Sequence, residues 1–201
     1  MPHRRTGGSS ILLRHEAAAH LRRQTLPGGH PFPAIFPDHP MPDIIDVDFA
    51  NPDHARDLIA LLNEYASGDM GSGESLPERV CRELPAALAA RPWAHALLAY
   101  VDGKPAGLAV YFEGFSTFAC QPLVNLHDFM VSAPFRGQGI ARQLLDALDA
   151  SARRLGCCKI TLEVLEGNGP AQALYRKMGY EAYQLQDANG QAVFWQKKLA
   201  D

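Results

Sequence analysis

A short turn in the second half of the chain combines positive charge with backbone freedom. Its residues are Arg136-Gly137-Gln138-Gly139-Ile140-Ala141, and the apolar residues that follow have the spacing of a helix. The first amides of a helix have no partners within it, and the helix dipole is positive at that end. Glycine allows a pyrophosphate to approach the backbone closely. The turn therefore has the features of an anion-binding site.

The turn is also compatible with other functions. A P-loop would continue with Lys-Ser or Lys-Thr, and a dinucleotide-binding fold would have a third glycine; the turn has neither. Its glycines can also be plain turn residues, and Arg136 can be a solvated surface charge. The direct continuation into an apolar-faced helix favours the binding of an anion.

The residues before the turn must position it. Alternation over 123–131 predicts a strand, with Val124, Leu126, Asp128 and Met130 on one face and Asn125, His127, Phe129 and Val131 on the other. Pro134 ends this strand. His127 and Asp128 are its titratable residues, and neighbouring side chains of a strand point to opposite faces. At most one of the two is therefore expected to face a given cleft.

The pattern from Asp43 onward predicts a mixed α/β domain. Besides the elements around the turn, strands are predicted at 44–49, 94–101, 105–115, 159–165 and 192–199, and helices at 52–65, 77–88 and 170–178. Asp102-Gly103 is typical of a hairpin turn, and Gly179 is typical of the left-handed residue that ends a helix. A glycine-rich loop over 66–75 separates the first two helices.

Composition limits the classes of function. The 201 residues, 47% of them hydrophobic, suffice for one well-buried domain and are short for two. A net charge of −3 is weak and argues neither for binding to nucleic acid nor for binding to an acidic membrane surface. Four cysteines without a C-x-x-C motif predict neither a disulfide framework nor a zinc site, and they indicate a reducing cytoplasm. No apolar run approaches the roughly 18 residues that a membrane span needs.

The first 42 residues differ from the rest of the chain. Residues 1–37 hold five arginines against one glutamate, a charge of +4, which leaves −7 of the total of −3 for the remainder. Prolines and glycines over 27–40 predict a linker. An arginine-rich leader can be a transit peptide, but an unstructured extension, or a start codon assigned upstream of Met41, is favoured.

Two motifs together resemble one protein family. Arg136-x-x-Gly139-x-Ala141 resembles the Gln/Arg-x-x-Gly-x-Gly/Ala loop with which the GNAT superfamily of N-acetyltransferases binds the acyl-CoA pyrophosphate. Asn168-x-x-Ala171-x-x-x-Tyr175-x-x-x-Gly179-Tyr180 is similar to a second motif of that family, at the family's distance from the first. The resemblance extends from Asp43 to Leu199. It implies the α/β GNAT fold, a mixed, mostly antiparallel central sheet flanked by helices, with splayed central strands.

The resemblance implies acetyl-CoA as co-substrate and no metal. The amides of the turn would hold the pyrophosphate, with Arg136 near phosphate oxygens, and the pantetheine arm would pair with strand backbone as an added strand does. Strand side chains there are more often core residues, so their backbone groups would do the binding, and an asparagine before a helix can be its cap. The implied coenzyme-binding residues are Met130, Val131, Arg136, Gly137, Gln138, Gly139, Ile140, Ala141 and Asn168.

The implied reaction is direct attack of a primary amine on the thioester. It needs a base for the amine and a proton donor for the departing sulfur. Tyr175 aligns with the family's usual donor, although a buried tyrosine is commonly a core residue. The run Leu126-His127-Asp128-Phe129-Met130-Val131 is similar to Leu-Glu-Asp-Phe-Phe-Val of the spermidine/spermine branch, so His127 and Asp128 are candidates for the base. Histidine titrates near neutral pH but replaces a glutamate there. Glu163 is a reserve candidate.

The acceptor site is expected in the variable loops. Aromatic and acidic side chains there suit a small cationic amine, but they are also ordinary surface residues. The candidates are Tyr65, Asp69, Met70, Phe115 and Phe118.

The prediction from sequence is thus a cytoplasmic N-acetyltransferase that acts on a small-molecule amine and binds neither nucleic acid nor a membrane. The family resemblance is compatible with a homodimer. Two alternatives stay open: a non-catalytic acyl-CoA-binding sensor or interaction module, and a nucleic-acid-associated protein that uses the arginine-rich leader.

Overall fold

The structure, a computed structural model, describes residues 41–183 and 192–199. The extension predicted over 1–42 lies outside these residues, apart from its last two. The elements in chain order are β1 (Asp43–Asp46), α1 (Pro52–Ser67), α2 (Glu78–Ala89), β2 (Ala94–Val101), β3 (Lys104–Ser116), β4 (Gln121–Val131), a short 3-10 turn (Ala133–Phe135), α3 (Ile140–Arg154), β5 (Ile160–Leu162) and α4 (Gly169–Lys177). Within the described residues, no helix has both the length and the apolar character needed to cross a membrane.

The five strands form one sheet in the order β1-β2-β3-β4-β5. The first four pair antiparallel, and β5 pairs parallel to β4. Asp102 and Gly103 turn the β2–β3 hairpin with φ angles of 50° and 73°. The predicted mixed, mostly antiparallel sheet flanked by helices is confirmed.

Two helices begin in different ways, and the difference concerns the functional site. At α1, the Asn51 side chain accepts from the amides of Asp53 (2.9 Å) and His54 (3.4 Å), which caps the helix. At α3, the residue before the helix is Gly139 with φ 81°, and no side chain among the described residues caps the first amides. These amides are therefore available to another partner.

The sheet separates two apolar clusters. On one face, α3 contributes Leu144, Leu145 and Leu148, and Tyr175 of α4 joins the same cluster. We call this the α3 face. On the other face, the α1 face, the helix α1 packs its leucines against Leu98 and Leu108, and the half-buried Tyr65 lies beside them. Burial on both faces holds the central strands, which carry the functional site.

A β-bulge at His127 breaks the predicted alternation of β4. Leu126 pairs with Tyr111 and Asp128 pairs with Val110, so no β3 residue is opposite His127. Val124 and Leu126 consequently pack on the α3 face, whereas Met130 packs on the α1 face. The prediction that Val124, Leu126, Asp128 and Met130 share one face is wrong, because one inserted residue exchanges the faces of all that follow.

The two strands predicted near the C-terminus differ from the structure. The strand predicted over 159–165 is confirmed only as the three residues of β5. The strand predicted over 192–199 is wrong: these residues form none, and Phe194 and Trp195 are 75% and 84% exposed. An alternating pattern shows which side chains could face a core. A strand must also pair with the edge strand of a sheet, and the edge strand β5 has only three residues.

Tyr180 has a buried hydroxyl that finds no hydrogen-bond partner within the described residues. Burial of this hydroxyl, followed by the charge of Asp149, raises the pKa of Tyr180 to about 12. We expect Tyr180→Phe to increase the free energy of unfolding by about 1 kcal/mol, since it removes an unsatisfied polar group. The melting temperature should rise by roughly 2–4 °C.

A matched control for Tyr180→Phe is Tyr100→Phe. The Tyr100 hydroxyl donates to Asp57 at 2.9 Å, so its removal is expected to lower stability. Thermal denaturation of both variants checks the pair. A melting temperature of Tyr180→Phe at or below that of the wild type would contradict the prediction.

Candidate active site

A cleft of about 320 Å³ lies where β4 and β5 separate. Only the segment Val124–Leu126 of β4 pairs with β5, opposite Ile160–Leu162. Beyond this pairing β4 continues to Val131. The predicted splay of the central strands is therefore confirmed. The walls come from α1, the loop after it, β4, the segment after β5, α4 and the C-terminal residues: Tyr65, Met70, Leu126, His127, Phe129, Glu163, Val164, Leu165, Asn168, Ala171, Tyr175 and Phe194.

The glycine-rich turn lies between the end of β4 and the start of α3. Gly137 and Gly139 have φ angles of 75° and 81°, a region that favours glycine. A Cβ placed on either residue would meet no atom of residues 41–183 or 192–199 within 4 Å, so these residues leave the space in front of the turn open. The uncapped amides of α3 and an open approach are the features that an anion needs at a helix start.

Two side chains of the turn bind back to the preceding chain. The Nε of the exposed Arg136 donates to the carbonyl of Val131 at 2.9 Å, and the Gln138 amide donates to the carbonyl of Pro134 at 3.2 Å. Arg136 thereby ties the end of β4 to the turn. Its charge remains at the positive end of the α3 dipole, where the sequence places it.

Tyr175 is 8% exposed and lies in the wall of the cleft. Its ring is 6.1 Å from that of Phe129 and 5.6 Å from that of Tyr180, measured between centroids. Burial, followed by the neighbouring Tyr65 and Tyr180, raises the pKa of Tyr175 to about 12. The hydroxyl is therefore protonated at neutral pH and can act as a donor.

His127 and Asp128 both lie on the α1 face, which corrects the expectation that they point to opposite faces. The ring of His127 is 5.3 Å from Phe112 of the α1-face cluster, and the charge of Asp128 acts on Tyr65 of α1. The bulge explains this arrangement, because it interrupts the alternation between the two residues. The exposed His127 lines the cleft, with the carboxyl group of Asp128 half-buried beside it.

Burial raises the pKa of Asp128 above its usual 3.8, and the neighbouring His127 opposes this shift. At pH values between the pKa of Asp128 in the unfolded state and its higher pKa in the folded state, the folded protein binds more protons than the unfolded one. The stability that protonated Asp128 contributes is therefore lost as pH rises through the folded-state pKa. We therefore expect Asp128→Asn to be more stable than the wild type at pH 7 and to lose this advantage at pH 4. Urea unfolding at both pH values measures the difference. An equal effect of the substitution at both would contradict it.

The other residues predicted to bind the coenzyme surround the cleft and the turn. Met130 is buried on the α1 face, and Val131 ends β4. The Asn168 side chain accepts from the Ala171 amide at 3.2 Å, so it caps α4 while also lining the cleft. Both interpretations weighed for Asn168 are thus compatible with its position.

The predicted acceptor residues are only partly brought together. Tyr65 and Met70 line the cleft, and the exposed Asp69 precedes Met70. Phe115 and Phe118 do not line it. Phe115 pairs with Pro122, about 17 Å along β4 from His127 at a usual strand rise. Both side chains are exposed at the far end of the β3–β4 hairpin.

Some residues of the site were not predicted from the sequence. Phe129 and Ala171 lie within the quoted motifs, yet their place in the cleft wall depends on the bulge and on the position of α4. Asn125 contacts Glu163 across the two strands, and the sequence contains no local signal for this contact.

The model of the acetyltransferase (GNAT) family matches residues 55–180. A thialysine N-epsilon-acetyltransferase of Caenorhabditis elegans is 29% identical over 131 residues, which are 64% of this chain and 78% of that protein.

Two solved structures share the fold at low sequence identity. The aminoglycoside N-acetyltransferase AAC(6')-Iy in complex with CoA has a TM-score of 0.63 and 19% identity, covering 82% of this chain and 100% of that chain. An aminoglycoside acetyltransferase from an uncultured soil metagenomic sample, in complex with sisomicin, has a TM-score of 0.65 and 17% identity, covering 79% and 97%. Because the family model spans more than half of the chain and includes both quoted motifs, the chain belongs to the acetyltransferase (GNAT) family.

Proposed function

We propose that this enzyme transfers the acetyl group of acetyl-CoA to the primary amine of a small cationic molecule by direct attack. The observation that carries the proposal is the cleft between β4 and β5, which has Tyr175 on one wall and His127 on another. A proton donor and a candidate base thus border one space, as acyl transfer to an amine requires.

The residues present fit acetyl-CoA. The uncapped amides of α3 and the open approach to Gly137 and Gly139 suit a pyrophosphate, and Arg136 adds a positive charge. The backbone of Met130 and Val131 lies where no described strand pairs with β4 on the β5 side, which suits the amide groups of a pantetheine arm. Gln138, Ile140 and Ala141 complete the turn, and Asn168 borders the cleft. Acetyl-CoA supplies the activated thioester.

The protein's own groups would manage two protons. The amine nitrogen forms a bond to the thioester carbon after a proton passes to His127, directly or through water, with the carboxylate of Asp128 beside it to stabilise the charged ring. When the carbon–sulfur bond breaks, the Tyr175 hydroxyl donates its proton to the sulfur, and it regains one from the attached nitrogen, which still carries the second proton that an amide must lose. The raised pKa of Tyr175 keeps its proton available at neutral pH.

The acceptor would enter from the α1 face. Tyr65 and Met70 supply apolar and aromatic contact, and Asp69, Asp128 and Glu163 supply negative charge for a cationic amine. The named relatives support an amine acceptor, since their names give thialysine and aminoglycosides as substrates. We further propose that residues 43–201 form the acetyltransferase domain, that it works as a homodimer and that it is located in the cytoplasm.

The proposal is tested by release of the CoA thiol from acetyl-CoA with a panel of amines. The panel contains thialysine, a diamine, a polyamine, an aminoglycoside and an N-terminal peptide. Turnover on a cationic small amine, with a mass increase of one acetyl group on the acceptor, supports it. Binding of acetyl-CoA without turnover on any amine would favour a non-catalytic acyl-CoA sensor. Failure to bind acetyl-CoA would overturn the assignment of the glycine-rich turn.

A further inference from the structure

Asn125 links β4 to β5 at the point where the two strands separate. Its side-chain amide donates to the hydroxyl of Thr161 at 3.2 Å and to both carboxylate oxygens of Glu163 at 3.3 Å each. The Thr161 hydroxyl donates in turn to the carbonyl of Val124 at 3.4 Å. The contact to Glu163 joins residues that are 38 positions apart in the chain.

We propose that Asn125 is a positioning residue that holds the carboxylate of Glu163 towards the acceptor amine. The inference deepens the proposed function and rests on it, because it assigns a partner to the cationic nitrogen in the same cleft. Asn125 itself would touch neither substrate.

The sheet geometry places both residues on the same side. Asn125 pairs with Phe112 on one neighbour and with Thr161 on the other, and Phe112 belongs to the α1 face. Glu163 lies one residue beyond the end of β5, and the hydrogen bonds from Asn125 place its carboxylate on the same side. Glu163 and His127 both line the cleft, so the held carboxylate and the candidate base border the same space.

The group that binds the Glu163 carboxylate is a neutral amide and not a cation. Several surface carboxylates of this protein lie against arginines, as Asp53 does with Arg56 and Asp149 with Arg153. Within the described part of the chain Glu163 forms no such ion pair and is bound by a neutral amide instead. An amide fixes the direction of a carboxylate and leaves its charge uncompensated. That charge is then free to attract a cationic amine.

Without Asn125, the Glu163 side chain would adopt many conformations, because it is exposed and has several rotatable bonds. A carboxylate already fixed in the cleft needs no ordering when the amine arrives. The other titratable groups that face this space are Tyr65 on α1, His127 with Asp128 on β4, and Tyr175 on α4. Any pH effect of Asn125 must therefore be separated from theirs.

The test compares Asn125→Ala, Glu163→Gln and the double variant, with the best acceptor of the amine panel. Each single change should lower kcat/KM for the amine by about tenfold, the loss expected for one charge-assisted interaction. The double variant should lose no more than the larger single effect, because both changes remove one interaction. The Kd for acetyl-CoA, measured by calorimetry, should stay within about twofold.

Thr161→Val is the matched control. It removes the bridge between β4 and β5 but keeps the contact between Asn125 and Glu163, so kcat/KM should stay within about twofold of the wild type. Asn125→Asp, nearly equal in size, places a second carboxyl group beside Glu163. Like charges raise the pKa of one of them, so the acidic limb of the kcat/KM profile should move to higher pH. This readout remains available if Asn125→Ala fails to fold.

Several outcomes would overturn the inference. They are a wild-type rate for Asn125→Ala, an equal loss for Thr161→Val, additive losses in the double variant, or an unchanged pH profile for Asn125→Asp. A wild-type enzyme that acetylates no amine would overturn the proposed function and this inference together. An active wild type with an unaffected Asn125→Ala would overturn only the inference.

Discussion

Replacing Tyr175 by phenylalanine is expected to lower kcat by about 100-fold or more, within the usual range for loss of a proton donor. The hydroxyl lies in the cleft wall and stays protonated because burial raises its pKa to about 12. The ring contacts with Phe129 and Tyr180 do not need the hydroxyl, so the fold should persist. The measurement is thiol release at saturating acetyl-CoA, with calorimetry to verify that the Kd for acetyl-CoA stays within about twofold.

The control for this variant is Tyr180→Phe. It makes the same chemical change in a neighbouring, half-buried tyrosine that is not among the cleft-lining residues. We expect Tyr180→Phe to keep the wild-type kcat. If Tyr175→Phe retains at least about half of kcat, or if both variants lose activity equally, Tyr175 has no specific role as donor.

The second large effect is expected from the double variant Gly137→Ala with Gly139→Ala, which should weaken acetyl-CoA binding by about 100-fold. Both residues have positive φ, where an L-residue costs roughly 1–2 kcal/mol each. About 1.4 kcal/mol corresponds to a tenfold change in affinity. The turn can relieve this strain only by moving the amides that would face the pyrophosphate. Calorimetric titration with acetyl-CoA measures the loss.

Gly156 provides a control with the same backbone requirement. It follows the other end of α3 with φ 69°, and a Cβ there would also meet no atom within 4 Å in the part of the chain that the structure describes. Gly156→Ala should therefore lower thermal stability through the same strain and leave the Kd for acetyl-CoA unchanged. Equal weakening of acetyl-CoA binding by Gly156→Ala and by the double variant would show that strain alone, and not the position of the turn, explains the loss.

Features set by neighbours in the chain could be predicted from the sequence. The start of α1 follows from Asn51 before Pro52, and the β2–β3 turn follows from Asp102-Gly103. The turn over 136–141 was predicted because its glycines, its charge and the helix after it are adjacent in the chain. In each case the physical cause acts within a few residues.

Features set by distant contacts could not be predicted. The bulge at His127 depends on how β3 pairs with β4, and an alternating pattern alone does not reveal an inserted residue. The common face of His127 and Asp128 follows from that bulge. The contact between Asn125 and Glu163 depends on the parallel pairing of β5. The prediction of a strand at 192–199 was wrong for a related reason, since the alternating pattern did not specify a neighbouring strand with which it could pair.

The short pairing of β5 makes β4 an interior strand at one end and an edge strand at the other. Beyond Leu126, peptide groups of β4 on the β5 side have no described strand to pair with. An open edge within a sheet is a template for another extended chain, including that of a second protein molecule. In the proposed function, the pantetheine arm of acetyl-CoA occupies this edge. We therefore expect amide hydrogen exchange over 129–131 to slow when acetyl-CoA is added. The same ligand should raise the temperature at which the protein aggregates.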